Sequence, residues 1–113
     1  MIKVYGIKNC DSVKKALSFL KKYNLDYTLQ DFKTDKVSCD EISSWLEQVQ
    51  IKTLFNSRST TYRTLKLKEL NPNDEEKKEW LCKENLLIKR PVIIFNEKIL
   101  VGYNEEDYTR EFL

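Results

Sequence analysis

Two short runs of β-type residues bracket one amphipathic helix pattern at the start of this chain. That arrangement limits the fold more than any other feature. Ile2-Lys3-Val4-Tyr5 reads as a strand, and Tyr27-Thr28-Leu29-Gln30-Asp31-Phe32 reads as a second. Between them Val13, Ala16, Leu17 and Leu20 fall at i, i+3, i+4 and i+7, one face of a helix over about 12–23. Strands separated by a helix pair side by side rather than as a hairpin. The expectation is therefore parallel pairing with a right-handed crossover.

Gly6-Ile7-Lys8-Asn9-Cys10-Asp11-Ser12 links the first strand to that helix, so the Cys10 thiol falls at the helix start. Backbone N–H groups are unpaired there and the helix dipole favours negative charge. A thiol so placed tends to react as thiolate, and Lys8 adds a cation two residues away. The alternative for Cys10 is a small buried apolar side chain, a common fate of free cysteine.

The chain has 113 residues, enough for one core without staples, and is read as a single domain over 1–113. Hydrophobic residues make up 41% and charged residues 34%, the balance of a soluble globular chain. Net charge is +2 with both signs interspersed, which gives no case for nucleic-acid binding. Lys14, Lys15, Lys21 and Lys22 read as the solvated face of the first helix. The three cysteines, Cys10, Cys39 and Cys82, lie 29 and 43 residues apart. That odd, wide spacing argues against a disulfide framework and against a zinc site. No run reaches transmembrane length and the start lacks a signal-peptide pattern, so a reducing cytoplasm is the expected compartment, with no membrane partner. The chain contains no histidine, which excludes a Cys–His or Ser–His dyad. Any cysteine chemistry must draw on cations and the helix dipole.

Further along, Ser38-Cys39-Asp40-Glu41 has the form of a capping box, followed by an apolar stripe at Ile42, Trp45, Leu46 and Val49. Cys39 falls inside that cap, in the first turn of a helix, where a thiol can be slightly acidified; the preferred reading is a spectator. A polar break at Asn56-Ser57-Arg58-Ser59-Thr60-Thr61 leads through a mixed stretch to Leu70. Asn71-Pro72-Asn73-Asp74 opens a third helix running through Glu79, Trp80 and Leu81, where Cys82 reads as packing. After Pro91, Val92-Ile93-Ile94-Phe95 and Lys98-Ile99-Leu100-Val101 form a hairpin around Asn96-Glu97. Gly102 breaks the pattern and 105–113 closes the chain with a short helix. The predicted order is βαβ, a helical insertion over about 38–85, then ββα, with four strands in one mixed α/β sheet.

That order matches a thioredoxin-like fold with a helical insertion. Gly6-Ile7-Lys8-Asn9-Cys10-Asp11, Arg58-Ser59-Thr60-Thr61-Tyr62-Arg63 and Ile88-Lys89-Arg90-Pro91 resemble, in order and spacing, the arsenate reductase–related family. Within it the chain is most similar to the YffB-like branch, a sister of the Spx regulators. The resemblance implies that Cys10 is the nucleophile, and that Arg58 and Arg90 hold an oxyanion or carboxylate beside it; Lys8, by its position alone, adds a cation. It implies that Pro91, after Arg90, is a cis proline facing the cysteine; Asn9, next to Cys10 in the sequence, is read as a structural residue near the site. Guanidinium groups suit this use, being planar forked donors that stay charged.

Two departures narrow the reading. Glutathione-dependent arsenate reductases place a further arginine about where this chain has Gly102-Tyr103. Val13 stands where a Cys-x-x-Cys would place its second cysteine, so the redox switch of many Spx regulators is missing. The expected function is a small cytoplasmic thiol oxidoreductase, a monomer with no bound cofactor. It would use glutathione or another low-molecular-weight thiol as co-substrate and resolve a Cys10 mixed disulfide in trans. The alternatives are a non-catalytic Spx-like module that contacts RNA polymerase, and a genuine arsenate reductase.

Overall fold

The computed structural model describes residues 1–113, which form two compact units: Met1–Asp31 with Arg90–Leu113, and Phe32–Lys89.

In the first unit β1 (Ile2–Gly6) pairs in parallel with β2 (Tyr27–Asp31), in register from Ile2 opposite Tyr27 to Gly6 opposite Asp31. The intervening helix α1 spans Asp11–Lys22 and buries Val13, Ala16, Phe19 and Leu20. Leu17, expected on the buried face, is only half-buried. Phe19 is the additional buried side chain, because its ring stacks edge-on against Tyr108 at 5.5 Å and tilts against Tyr23 at 4.8 Å.

The hairpin forms as predicted. β3 (Val92–Phe95) runs antiparallel to β1, and β4 (Lys98–Val101) runs antiparallel to β3, giving a four-stranded mixed sheet in the order β2-β1-β3-β4. Asn96 and Glu97 form its turn with φ of 49° and 66°. Paired left-handed residues match the natural twist of a hairpin. The last helix, α7 (Glu105–Phe112), is capped by Asn104, whose side-chain oxygen accepts from the Asp107 N–H. It places Tyr108 in the core with Ile2, Val4, Ala16, Phe19, Leu20 and Ile93.

The second unit is built from short helices: α2 (Cys39–Trp45), α3 (Ile51–Leu54), α4 (Thr60–Thr64), α5 (Leu67–Leu70) and α6 (Asp74–Lys83). Each start has a local cause. Ser38 accepts from the Glu41 N–H, and Ser59 from the Tyr62 N–H. Asn73 and Glu76 form a reciprocal capping box, so α6 opens where its sequence says it should. α2 stops at Trp45, short of the Leu46 and Val49 expected on its stripe. Lys66 and Asn71, with φ of 55° and 45°, bracket α5 in the left-handed region and keep it to one turn.

The cysteine expectation needs correcting. Cys39 and Cys82 are joined in a disulfide, so Cys39 is no spectator and Cys82 is more than packing. Spacing along the chain gave no sign of this pair. It exists because α2 packs against α6, bringing the first residue of one helix to the next-to-last residue of the other. The same junction carries a buried polar clasp. Asn85 accepts from the Val37 N–H at 2.8 Å and donates to the Leu81 carbonyl at 2.9 Å.

Candidate functional site around Cys10

Cys10 is the N-cap of α1. Its backbone is extended (φ −143°, ψ 125°) and its carbonyl accepts the first helical bond, from the Lys14 N–H at 2.9 Å. The side chain makes no capping bond, which leaves the first-turn amides unpartnered by it. The thiol is half-buried and not in a disulfide. Lys8 and Asn9 are exposed in the preceding loop, while Ile7 is buried and anchors that loop. Asp11 is the first residue of α1 and is exposed, a position where a carboxylate complements the helix dipole.

Gly6 sets how closely α1 approaches the sheet. A Cβ there would lie 2.8 Å from Cγ2 of the buried Val13. Only a glycine at the end of β1 admits the first turn of α1 at this distance. Val13, the position a second cysteine of a Cys-x-x-Cys would take, is here a buried packing residue against Gly6.

The sheet register brings the proline to the same place. Tyr5 pairs with Val92, so Pro91 falls beside the Gly6 end of β1, from which the cysteine loop departs. The Arg90–Pro91 bond is cis, as expected, and Pro91 is buried. Its carbonyl accepts from the Gly102 N–H at 2.8 Å. Gly102 has a φ of 81°, a left-handed conformation that favours glycine, and its carbonyl accepts from the Tyr108 hydroxyl at 2.9 Å. Burial pushes the Tyr108 hydroxyl pKa upwards, helped by the neighbouring Tyr103 and Asp107, so it stays a neutral donor. Tyr108 thus supports the segment that positions Pro91, a role no sequence signal pointed to. Arg90 is half-buried at the entry to β3.

Lys8, Asn9, Cys10, Arg90 and Pro91 therefore belong to one unit and one end of its sheet, whereas Arg58 is carried by the other unit. Arg58 is exposed on a braced turn. Its N–H donates to the Asn56 side chain at 3.0 Å, and the buried Ser59 hydroxyl donates to the Asn56 carbonyl at 3.0 Å. Asn56 itself is tied to the chain before β3 through its N–H and the Leu87 carbonyl, next to an antiparallel bridge between Phe55 and Ile88. Arg63 donates from Nη1 to the Arg58 carbonyl at 3.2 Å and helps hold the turn. The polar break at 56–61 is thus an Asx turn followed by a serine-capped helix, and Asn-x-x-Ser was its legible signal. An open groove of about 560 Å³ borders this turn, lined by Lys52, Arg58 and Lys89 without any carboxylate. No three His, Cys, Asp or Glu side chains come together as a metal site.

A four-stranded mixed sheet with a cysteine at the first strand–helix junction and a cis proline alongside defines a thioredoxin-like fold of the arsenate reductase type. Residues 5–111 match the family model described as the ArsC family, and the chain belongs to that family. An uncharacterized protein of Haemophilus influenzae is 41% identical over 113 residues, covering 99% of both chains. The global transcriptional regulator Spx of Listeria innocua is 28% identical, over 97% of this chain and 86% of its own. Among solved structures, a protein named YFFB superposes with a TM-score of 0.91 at 26% identity, over 100% of both chains. No helix is long and apolar enough to cross a membrane.

Proposed function

We propose that this chain is a thiol oxidoreductase in which Cys10 forms a mixed disulfide with a low-molecular-weight thiol, glutathione foremost. The observation that carries this reading is the free Cys10 thiol at the N-cap of α1, on the sheet end where cis-Pro91 lies. The Cys10 thiolate attacks one sulfur of an oxidised substrate; the Cys10–S bond forms as the substrate S–S bond breaks, and the other sulfur leaves as thiolate. A thiol then attacks the substrate-derived sulfur, carries it away as a new disulfide and returns the Cys10 thiolate. Resolution is in trans, because Val13 stands where an adjacent resolving cysteine would be. Arg90 binds a carboxylate of the incoming thiol.

Arsenate is not the substrate we favour. Gly102, where arsenate reductases carry a further arginine, serves the backbone through its φ of 81° and its bond to Pro91. A cytoplasmic monomer, without a bound cofactor, suits thiol exchange of this kind.

Spx relatives that align with 97% of the chain favour a second reading, a binding module acting on RNA polymerase without catalysis. The deciding experiment incubates the protein with glutathione disulfide, maps the adduct by mass spectrometry and follows turnover with reduced glutathione. A glutathionyl adduct on Cys10 that reduced glutathione removes is the expected result. Absence of that adduct, together with binding to purified RNA polymerase, would transfer the assignment to the regulator.

A further inference from the structure

We propose that the Cys39–Cys82 pair is a second redox site of this chain, independent of Cys10, that exchanges with low-molecular-weight thiols and their disulfides. The two sulfurs are unequal. Cys39, at the first position of α2, is exposed, whereas Cys82, near the end of α6, is half-buried. Exchange rates follow access, and exposed disulfides are the labile ones. Attack therefore falls on the Cys39 sulfur.

A small-molecule thiolate bonds to Cys39 Sγ as the Cys39–Cys82 bond breaks. Cys82 leaves as thiolate and takes up the proton the incoming thiol lost. A second thiol attacks the small-molecule sulfur of that mixed disulfide, releasing the small-molecule disulfide and leaving Cys39 as thiol. Two electrons and two protons enter the chain for each small-molecule disulfide formed. Oxidation by the same disulfide runs the steps in reverse.

The surroundings suit a reversible pair rather than an essential staple. The α2–α6 junction is held without the sulfurs by the buried Asn85, which links Val37, two residues before Cys39, to Leu81, next to Cys82. Ile42 and Trp45 of α2 and Leu81 of α6 are buried, and the two helices pack together. The unit therefore keeps its packing when the bond opens, and the two thiols stay close enough to re-form it.

The test equilibrates the full-length protein in glutathione buffers from fully reducing to fully oxidising ratios. Acid quench, alkylation and peptide mapping then read each cysteine. Cys39 and Cys82 should lose label together within that range and regain it when the ratio is reversed. The same transition is expected in Cys10→Ser, which separates this result from the Cys10 assignment. A pair that stays closed throughout, or two thiols that stay free throughout, would overturn the proposal. Single variants sharpen the order of attack. The glutathione adduct on Cys39 in Cys82→Ser should form several times faster than that on Cys82 in Cys39→Ser, and the reverse order would refute attack at Cys39.

Discussion

The two units of this chain are stabilised by different means. The sheet unit rests on periodic patterns: three strand pairings, one amphipathic crossover helix and a contiguous core from Ile2 to Tyr108. The helical unit rests on tethers. Its α3 and α5 have four residues each and α4 has five, too short to be stable alone. They are fixed by caps, the Phe55–Ile88 bridge, the Asn85 clasp and a disulfide. Repetitive burial spreads the stability of the sheet unit over many core side chains. The helical unit concentrates its stability in a few long-range links.

The largest expected effect tests that contrast directly. Cys39→Ser removes a crosslink spanning 43 residues, worth about 4 kcal/mol if loop closure of the unfolded chain is its source. Denaturant unfolding under oxidising conditions should show that loss, and the same loss should appear in wild type on reduction. A negligible change would mean that closing this loop in the unfolded chain adds nothing to the stability that Asn85 and the apolar contacts supply, erasing the contrast.

Gly6→Ala is the counterpart in the sheet unit. The added methyl meets Val13, and overpacking of this kind costs about 2 kcal/mol. Because Val13 lies in the first turn of α1, the substitution should also change the Cys10 alkylation rate. A full loss of stability with unchanged Cys10 reactivity would separate packing at Gly6 from placement of the thiol.

Ligand binding asks whether the two units share one task. Arg90→Ala should weaken glutathione binding about tenfold, the loss of one charge-assisted hydrogen bond. Arg90→Lys should recover only part, since an ammonium keeps the charge but not the fork. An equal loss for Arg58→Ala, measured by titration calorimetry, would mean both units read the same anion. No loss would confine recognition to the sheet unit. Arg63→Ala should follow Arg58→Ala at reduced size, because Arg63 braces the Arg58 carbonyl.

The smallest effect concerns Tyr108. Replacement by Phe leaves the buried Gly102 carbonyl without its donor, at a cost of about 1 kcal/mol near neutral pH. The folded hydroxyl pKa lies above its ordinary value near 10, so its contribution is complete below that pH. Above it the unfolded chain releases this proton and the folded chain does not, so stability falls as pH rises. Comparing wild type with Tyr108→Phe between neutral and strongly alkaline pH should show the gap narrowing above pH 10.

Much of the sheet unit was legible because its signals are local. Strand alternation, the helical spacing from Val13 and the Asn96-Glu97 turn each act within a few residues, and burial of one face then fixes register. The helix starts at Ser38 and at Asn71-Pro72-Asn73-Asp74 were readable for the same reason, Ser38 capping through the Glu41 N–H and Asn73 forming the reciprocal box with Glu76. Cys10 and Pro91 were legible as a pair through motif order, and the Tyr5–Val92 register supplied the geometry.

What the sequence by itself determined is the strands, the first, third and last helices it predicted, the start of α2 and the residues carrying chemistry: a cysteine at a strand–helix junction, no histidine, no adjacent second cysteine. What only the tertiary structure decided is every link between positions far apart along the chain. Cys39 meets Cys82 because α2 packs on α6, Tyr108 reaches Gly102 behind Pro91, and Gly6 is required because Val13 lies against it. Composition and spacing along one dimension do not encode such meetings. They arise when apolar faces are buried together, and the polar or sulfur atoms carried along with those faces must find partners where packing leaves them.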